Sequence, residues 1–289
     1  MLEPLPTLHP PRRPAPAFAR NLPARAALGW LAAGWRDFRR SPGPSLAYGL
    51  FVFTLSWAVL FALYAAGLLY LALPALAGFL IVGPFLALGL YEKSRRLAAG
   101  EPVSLGAMLL VRPRSRGQLA YAGLMLGLLV LFWLRAADLL YALFFGLSPF
   151  PGASDALTNV LTTPRGWALI AVGSAVGGLF AAFAFAISLF SIPMLMAEKR
   201  DALTALGLSF AMTTQNLGPA LAWGAIVAAG LALSAATGLL GLIVIYPVLG
   251  HATWAVWRAI STRMPRVATG SKPPVSITMK GWLPTRPSP

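Results

Sequence analysis

Few side chains in this sequence could do chemistry, because most of the chain is apolar. The candidates are the ionisable residues in or beside the long apolar runs, namely Glu92, Arg95, Arg96, Arg135, Asp138 and His251. An ionisable side chain inside a membrane is costly to place, so each is a candidate functional residue. No residue is predicted to be catalytic.

Arg135 and Asp138 form the only ionisable pair within an apolar run. Their i,i+3 spacing puts them on one helix face, where they can pair. Counted at about 1.5 Å per residue from Gln118, they lie about 26 and 30 Å along the helix, near the outer boundary of a hydrocarbon core about 30 Å thick. Anchoring at the outer headgroups is the main interpretation, and a conduction or binding role is the alternative.

His251 and Glu92 lie near the opposite, inner boundary. His251 is about 10 Å inside it, counted from Arg258, and is interpreted as a hydrogen-bonded core histidine; titration or metal binding is the alternative. Glu92 is followed by basic residues, as is common where a helix ends near anionic lipid. The sharper hypothesis pairs Glu92 with His251 or with Arg36.

The residue inventory excludes several kinds of site. The chain has no cysteine and two histidines, of which His9 lies outside the apolar body. Thiolate chemistry and zinc–thiolate sites are therefore excluded. We find no P-loop, dinucleotide fingerprint, HExxH motif or nucleophile elbow. We expect no metal, no cofactor and no enzymatic activity.

Composition indicates a membrane protein. Of 289 residues, 58% are apolar and 11% are charged, whereas a soluble domain has roughly 25% charged residues. The net charge of +15 comes from basic residues at the ends of apolar runs, which favours contact with anionic lipid headgroups over nucleic acid.

The uncharged runs predict an all-α polytopic protein with six transmembrane helices, since a crossing takes roughly 20 residues. The predicted spans are 46–71, 75–92, 118–146, 166–196, 217–237 and 240–259. Pro84, Pro193 and Pro247 lie in the even-numbered spans and are expected to kink them.

Lysine and arginine are distributed unequally between the two sides. Twenty-one lie in the termini and the loops after the second and fourth spans, against one, Arg165, in the other loops. The positive-inside rule therefore predicts that both termini are cytoplasmic.

A local pattern recurs at 45–49, 118–122 and 220–224, at the start of each odd-numbered span. We interpret it as three hairpins, each preceded by an interfacial amphipathic helix, in units at about 25–97, 98–200 and 201–261. The first such helix carries an apolar stripe that includes Trp30, Gly34 and Phe38. Residues 1–24 and 262–289 are predicted to be a disordered cytoplasmic arm and tail.

Several separated motifs, taken together, resemble those of a bacterial family of predicted integral membrane proteins, domain of unknown function family 2189. They lie at 83–84, 89–92, 94–96, 135–137, 141–146, 191–193 and 250–254. The resemblance extends over about 28–260 and implies a protein of the bacterial cytoplasmic membrane, with no established activity. Some members are labelled as cytochrome c oxidase subunits. One histidine in the apolar body cannot ligate haem irons and copper, so a catalytic subunit is rejected.

These observations predict a scaffold, assembly or accessory protein that is not an enzyme and whose partner is a larger membrane complex. A transporter or channel for a small anionic or lipidic solute is the alternative. Its cytoplasmic mouth would be lined by Arg95, Arg96 and His251.

Overall fold

The computed structural model describes residues 18–68, 71–146 and 153–261, which fold into helices joined by short connections. The helices are α1 (Ala26–Arg40), α2 (Pro42–Ala65), α3 (Ala72–Leu86), α4 (Leu88–Ala99), α5 (Leu105–Leu109), α6 (Arg116–Phe145), α7 (Ala153–Thr162), α8 (Pro164–Ser188), α9 (Ser191–Ala197), α10 (Ala202–Gln215), α11 (Leu217–Ala236) and α12 (Ile245–Ser261). A 3-10 turn, Leu240–Ile243, precedes α12.

Five helical stretches in the described part of the chain are long and apolar enough to cross a membrane. They are Pro42–Ala65, Pro74–Ala99, Arg116–Phe145, Pro164–Ala197 and Leu217–Ala236. These correspond to the first five predicted spans and confirm a helical protein with several membrane-length helices. The sixth predicted span, 240–259, is divided between the 3-10 turn and the 17-residue α12, so a count of six is not confirmed.

The second stretch is broken at Ala87, between α3 and α4. Pro84, in the last turn of α3, has no N–H to donate. Side chains from other helices bond the carbonyls beside the break: the Tyr246 hydroxyl donates to the Gly83 carbonyl at 2.8 Å, and Tyr48 donates to Leu86 at 2.7 Å. An interrupted helix is tolerated in a membrane when its free backbone groups are bonded in this way.

The fourth stretch is broken between α8 and α9, at Leu189 and Phe190. Pro193 cannot donate to Leu189, its i−4 residue, and so the helix is interrupted where the missing bond would have been. The Ser209 hydroxyl of α10 accepts from the Phe190 N–H at 3.0 Å and donates to the Ala186 carbonyl at 2.7 Å.

Pro247 behaves differently from the other two prolines. It lies in the first turn of α12, where an N–H has no intrahelical acceptor and proline is well tolerated. The expectation that Pro247 kinks a span is therefore corrected: it begins a helix.

Helices α1 and α12 cross at close range and bring the two ends of the folded region together. A Cβ atom at Gly34 would lie 2.6 Å from the Ala252 Cβ and 2.5 Å from the Val248 carbonyl oxygen. The apolar stripe of α1 supplies this contact, with Trp30, Gly34 and Phe38 buried. Two further short helices also pack on helices that precede them, α5 on α4 and α10 on α8 and α9.

Residues 18–24, part of the arm predicted to be disordered, contact the folded region. The Phe18 N–H donates to Gln215 Oε1 at 2.8 Å and the Arg20 N–H to Asn216 Oδ1 at 2.9 Å, while the Arg20 Nε donates to the Ile260 carbonyl. The rest of the arm and the tail 262–289 lie outside the described residues.

Candidate functional site

A buried polar network centred on His251 joins α2, α4 and α12. The imidazole Nε2 lies 2.9 Å from the Ser45 hydroxyl oxygen. Its Nδ1 lies 2.9 Å from the Ser94 hydroxyl and 3.0 Å from the Leu90 carbonyl oxygen. His251 and Ser45 have no exposed surface, so the interpretation of His251 as a hydrogen-bonded core residue agrees with the structure.

Lys93 completes this network from α4. Its ammonium donates to the Ser45 hydroxyl oxygen and to the Ser41 carbonyl oxygen, each at 2.6 Å. Since the Ser45 oxygen accepts from Lys93, its own proton can go to His251 Nε2. The neutral imidazole with a proton on Nδ1 then donates to Leu90, which can only accept. In this arrangement, the Lys93 ammonium and both imidazole nitrogens of His251 each have a hydrogen-bond partner.

A serine beside a histidine also suggests nucleophilic chemistry. Here Ser45, Lys93 and His251 are all fully buried, and none of them lines the inner-face cavity described below. A substrate in that cavity would not reach the Ser45 oxygen. The arrangement is therefore suited to holding three helices in register.

An ion-pair cluster lies beside this network on α4. Glu92 accepts from Arg95 at 2.8 Å and from Arg96 at 2.7 Å, and Arg95 also donates to Glu101 at 2.7 Å. The hydrogen bonds from Arg95 hold the pKa of the exposed Glu101 carboxyl below its usual range. The hypothesis that Glu92 pairs with His251 or with Arg36 is therefore wrong: its partners are on its own helix.

A cavity of about 570 Å³ opens beside this cluster. We call it the inner-face cavity, since it lies among the basic residues that the positive-inside rule assigns to the cytoplasm. Its lining comprises Glu92, Arg95, Arg96, Gly106, Ala107, Leu110, Arg112, Arg114, Met196, Ala197, Trp254 and Trp257. The predicted lining of a transporter's cytoplasmic mouth is therefore corrected: Arg95 and Arg96 line the cavity, whereas His251 does not.

The segment that carries Arg112 and Arg114 is fixed to the end of α9. The Arg114 N–H donates to the Met196 carbonyl at 3.1 Å, and the Ser115 hydroxyl donates to the Glu198 carbonyl at 2.9 Å. These bonds position the exposed Arg112 and Arg114 side chains at the edge of the cavity.

Trp254 and Trp257 form the apolar wall of the cavity. Their rings lie 4.7 Å apart, and Trp254 also stacks on Tyr91. The two indole N–H groups are buried and have no acceptor among the described residues. An unpartnered buried donor is uncommon in folded proteins and costs roughly 1–3 kcal/mol.

Arg135 and Asp138 lie far from this end of the molecule, past the middle of α6. They pair at 3.2 Å, with the Arg135 side chain 82% exposed. Nearby, the Trp133 indole N–H donates to the Pro74 carbonyl at 2.9 Å. Neither residue lines the inner-face cavity, and the anchoring role stays a prediction.

The sequence alone did not identify the residues that complete the His251 network and the inner-face cavity. Ser45 and Ser94 are uncharged, and Lys93, Arg112 and Arg114 were counted only as evidence of orientation. Leu90 and Ser94 are four residues apart and therefore lie on one helix face. The sequence does not show which helix meets that face. Among the described residues, no group of histidine, cysteine, aspartate and glutamate could hold a metal ion.

Comparison with protein families agrees with this description of a membrane protein with several apolar helices. A family model described as "Predicted integral membrane protein (DUF2189)" matches residues 71–197. The resemblance found in the sequence is thus confirmed over that range, which includes Glu92, Arg95, Arg96 and the segment with Arg112 and Arg114. No curated protein and no solved structure matches the chain at a significant level.

Proposed function

We propose that this protein is a non-enzymatic accessory or assembly protein of the bacterial cytoplasmic membrane, with six spans and both termini in the cytoplasm. The distribution of lysine and arginine supports the orientation. The buried network around His251 carries the proposal for an accessory role, because it favours a rigid body over a moving one.

The proposed architecture is a threefold repeat. In each unit a short helix, α1, α5 or α10, precedes a hairpin that ends in a returning helix, α4, α9 or α12. The contacts of α5 with α4, α10 with α9 and α1 with α12 support this interpretation, since each short helix then packs on a returning helix of another unit. The contact between α1 and α12 joins the first unit to the third, so that each of the three units contacts the other two.

Reporter fusions test the topology. Alkaline phosphatase joined after residue 261 is expected to be inactive and a fluorescent protein there to be fluorescent, because the first needs export and the second folds in the cytoplasm. A phosphatase fusion after residue 146 is expected to be active. Activity of the phosphatase after residue 261 would contradict the proposed six spans.

Rigidity is the physical basis of the accessory role. Ser45 of α2, Lys93 of α4 and His251 of α12 are bonded in a fully buried site. Moving one helix against the others would leave those polar groups without partners, at a cost of roughly 1–3 kcal/mol for each. Alternating access that required such a movement would therefore be opposed.

The test is a deletion strain whose membrane complexes are separated on native gels. We expect at least one complex to be lost or to shift, and a plasmid copy of the wild-type gene to restore it. The protein should migrate with that complex. Unchanged complexes in the deletion strain, together with solute flux through vesicles containing the purified protein, would contradict the accessory role.

The inner-face cavity favours a second candidate, a transporter or channel for a small anionic or lipidic solute. Its arginine lining suits an anion, and its volume lies within the range of roughly 300–1,000 Å³ that is common for ligand sites. The flux measurement distinguishes this candidate from the first.

A further inference from the structure

We propose that the inner-face cavity is a binding site for a phosphate group, held by Arg112 and Arg114 beside the indole rings of Trp254 and Trp257. Binding of a phosphate goes beyond the accessory role and does not depend on it, since a rigid accessory protein and a transporter could both carry such a site.

The charges of the lining favour an anion. Arg95 and Arg96 are paired with Glu92 and Glu101, so their charges are largely compensated. Arg112 and Arg114 have exposed side chains and no carboxylate partner among the described residues. They leave the cavity with an excess of positive charge.

A guanidinium group matches the shape of a phosphate, as it also matches that of a carboxylate. A planar guanidinium can donate two parallel N–H bonds to two phosphate oxygens, which an ammonium cannot do. Two arginines separated by one residue on a segment bonded to α9 can approach one phosphate from the edge of the cavity. Because the backbone is already fixed there, binding requires little further ordering.

The tryptophans supply the apolar part of the site. Their indole N–H groups are buried without an acceptor among the described residues, and their rings form part of the wall. The apolar ring surface beside the arginines suits the glycerol and upper acyl region of a lipid, since tryptophan favours the membrane interface.

A phosphate could come from an anionic lipid of the inner leaflet or from a free solute. Purified full-length protein in a neutral maltoside detergent is titrated with phosphatidylglycerol in one arm and with inorganic phosphate in the other. Sodium chloride at equal ionic strength is the salt control. Binding is followed by the rise in melting temperature, recorded by tryptophan fluorescence.

The test variant is Arg112→Gln/Arg114→Gln, and Arg39→Gln/Arg40→Gln is its matched control. Arg39 and Arg40 are exposed at the end of α1 and outside the cavity, so the control removes the same charge from the same predicted side of the membrane. We expect the test variant to raise the Kd by about tenfold or more and the control by less than about twofold. If the double variant melts at a lower temperature without ligand, the single variants Arg112→Gln and Arg114→Gln are measured instead. Each is expected to raise the Kd by about threefold.

The pattern of binding identifies the source of the phosphate. A response to phosphatidylglycerol alone assigns a lipid headgroup, a response to inorganic phosphate alone assigns a soluble anion, and competition between them assigns one shared site. No response in either arm would overturn the proposal. Equal weakening by the test and control variants would also overturn it, because it would reveal general attraction between a basic surface and anions.

Discussion

Replacement of His251 with leucine is expected to lower the free energy of unfolding by about 3 kcal/mol. The imidazole bonds Ser45, Ser94 and the Leu90 carbonyl in a site without exposed surface. Leucine removes the acceptor of the Ser45 hydroxyl proton, which Lys93 cannot replace, and the imidazole partner of the Ser94 hydroxyl. Each buried unsatisfied group costs roughly 1–3 kcal/mol. Unfolding in micelles of increasing dodecyl sulfate content, followed by tryptophan fluorescence, measures the change.

A double-mutant cycle separates the network from ordinary packing. Ser45→Ala removes the hydroxyl that lies between Lys93 and His251. We expect His251→Leu and Ser45→Ala together to destabilise less than the sum of the two single variants, with a coupling of roughly 1 kcal/mol. Thr214→Val, at an exposed hydroxyl on α10, is the control and should change stability by no more than about 0.5 kcal/mol. Strict additivity would show that the buried contacts do not act as a unit.

The membrane-length helices were predictable because they follow from a local property. A run without charge must be long enough to cross the hydrocarbon core, and length can be counted in the sequence. The predicted span 217–237 agrees with α11 to within one residue, and 118–146 agrees with α6 to within two. The breaks beside Pro84 and Pro193 follow from the missing N–H of proline and were expected as kinks.

The partners across those breaks were not predictable, since they depend on which helices meet. Ser45 and His251 are separated by 206 residues, and no spacing rule links positions so far apart. The Tyr246 hydroxyl that bonds Gly83 is similarly distant in sequence. Each contact requires two helices that are distant in the sequence to lie side by side, and hydropathy along one chain contains no information about that placement.

The positive-inside rule assigned Arg112 and Arg114 to a side of the membrane and gave them no further role. A rule about totals treats all basic loop residues as equivalent. The hydrogen bonds from the Arg114 N–H to Met196 and from Ser115 to Glu198 place this pair at the edge of a cavity. The Arg112→Gln/Arg114→Gln variant tests whether these two arginines bind a phosphate group in addition to contributing to the orientation of the protein.

Gly34→Ala is expected to destabilise the protein by about 2–3 kcal/mol, although alanine is the better helix former. The new methyl group would lie 2.5 Å from the Val248 carbonyl oxygen and 2.7 Å from the Ala252 backbone nitrogen. Backbone atoms cannot rotate away as a side chain can, so α1 would have to separate from α12. Gly29→Ala, on the exposed face of the same helix with nothing within 4 Å of its Cβ, is the matched control and should stabilise by up to about 1 kcal/mol. The dodecyl sulfate unfolding measurement compares the two variants directly. If both alanines stabilise the protein, then α1 does not pack on α12, and the proposed closure of the threefold series fails with it.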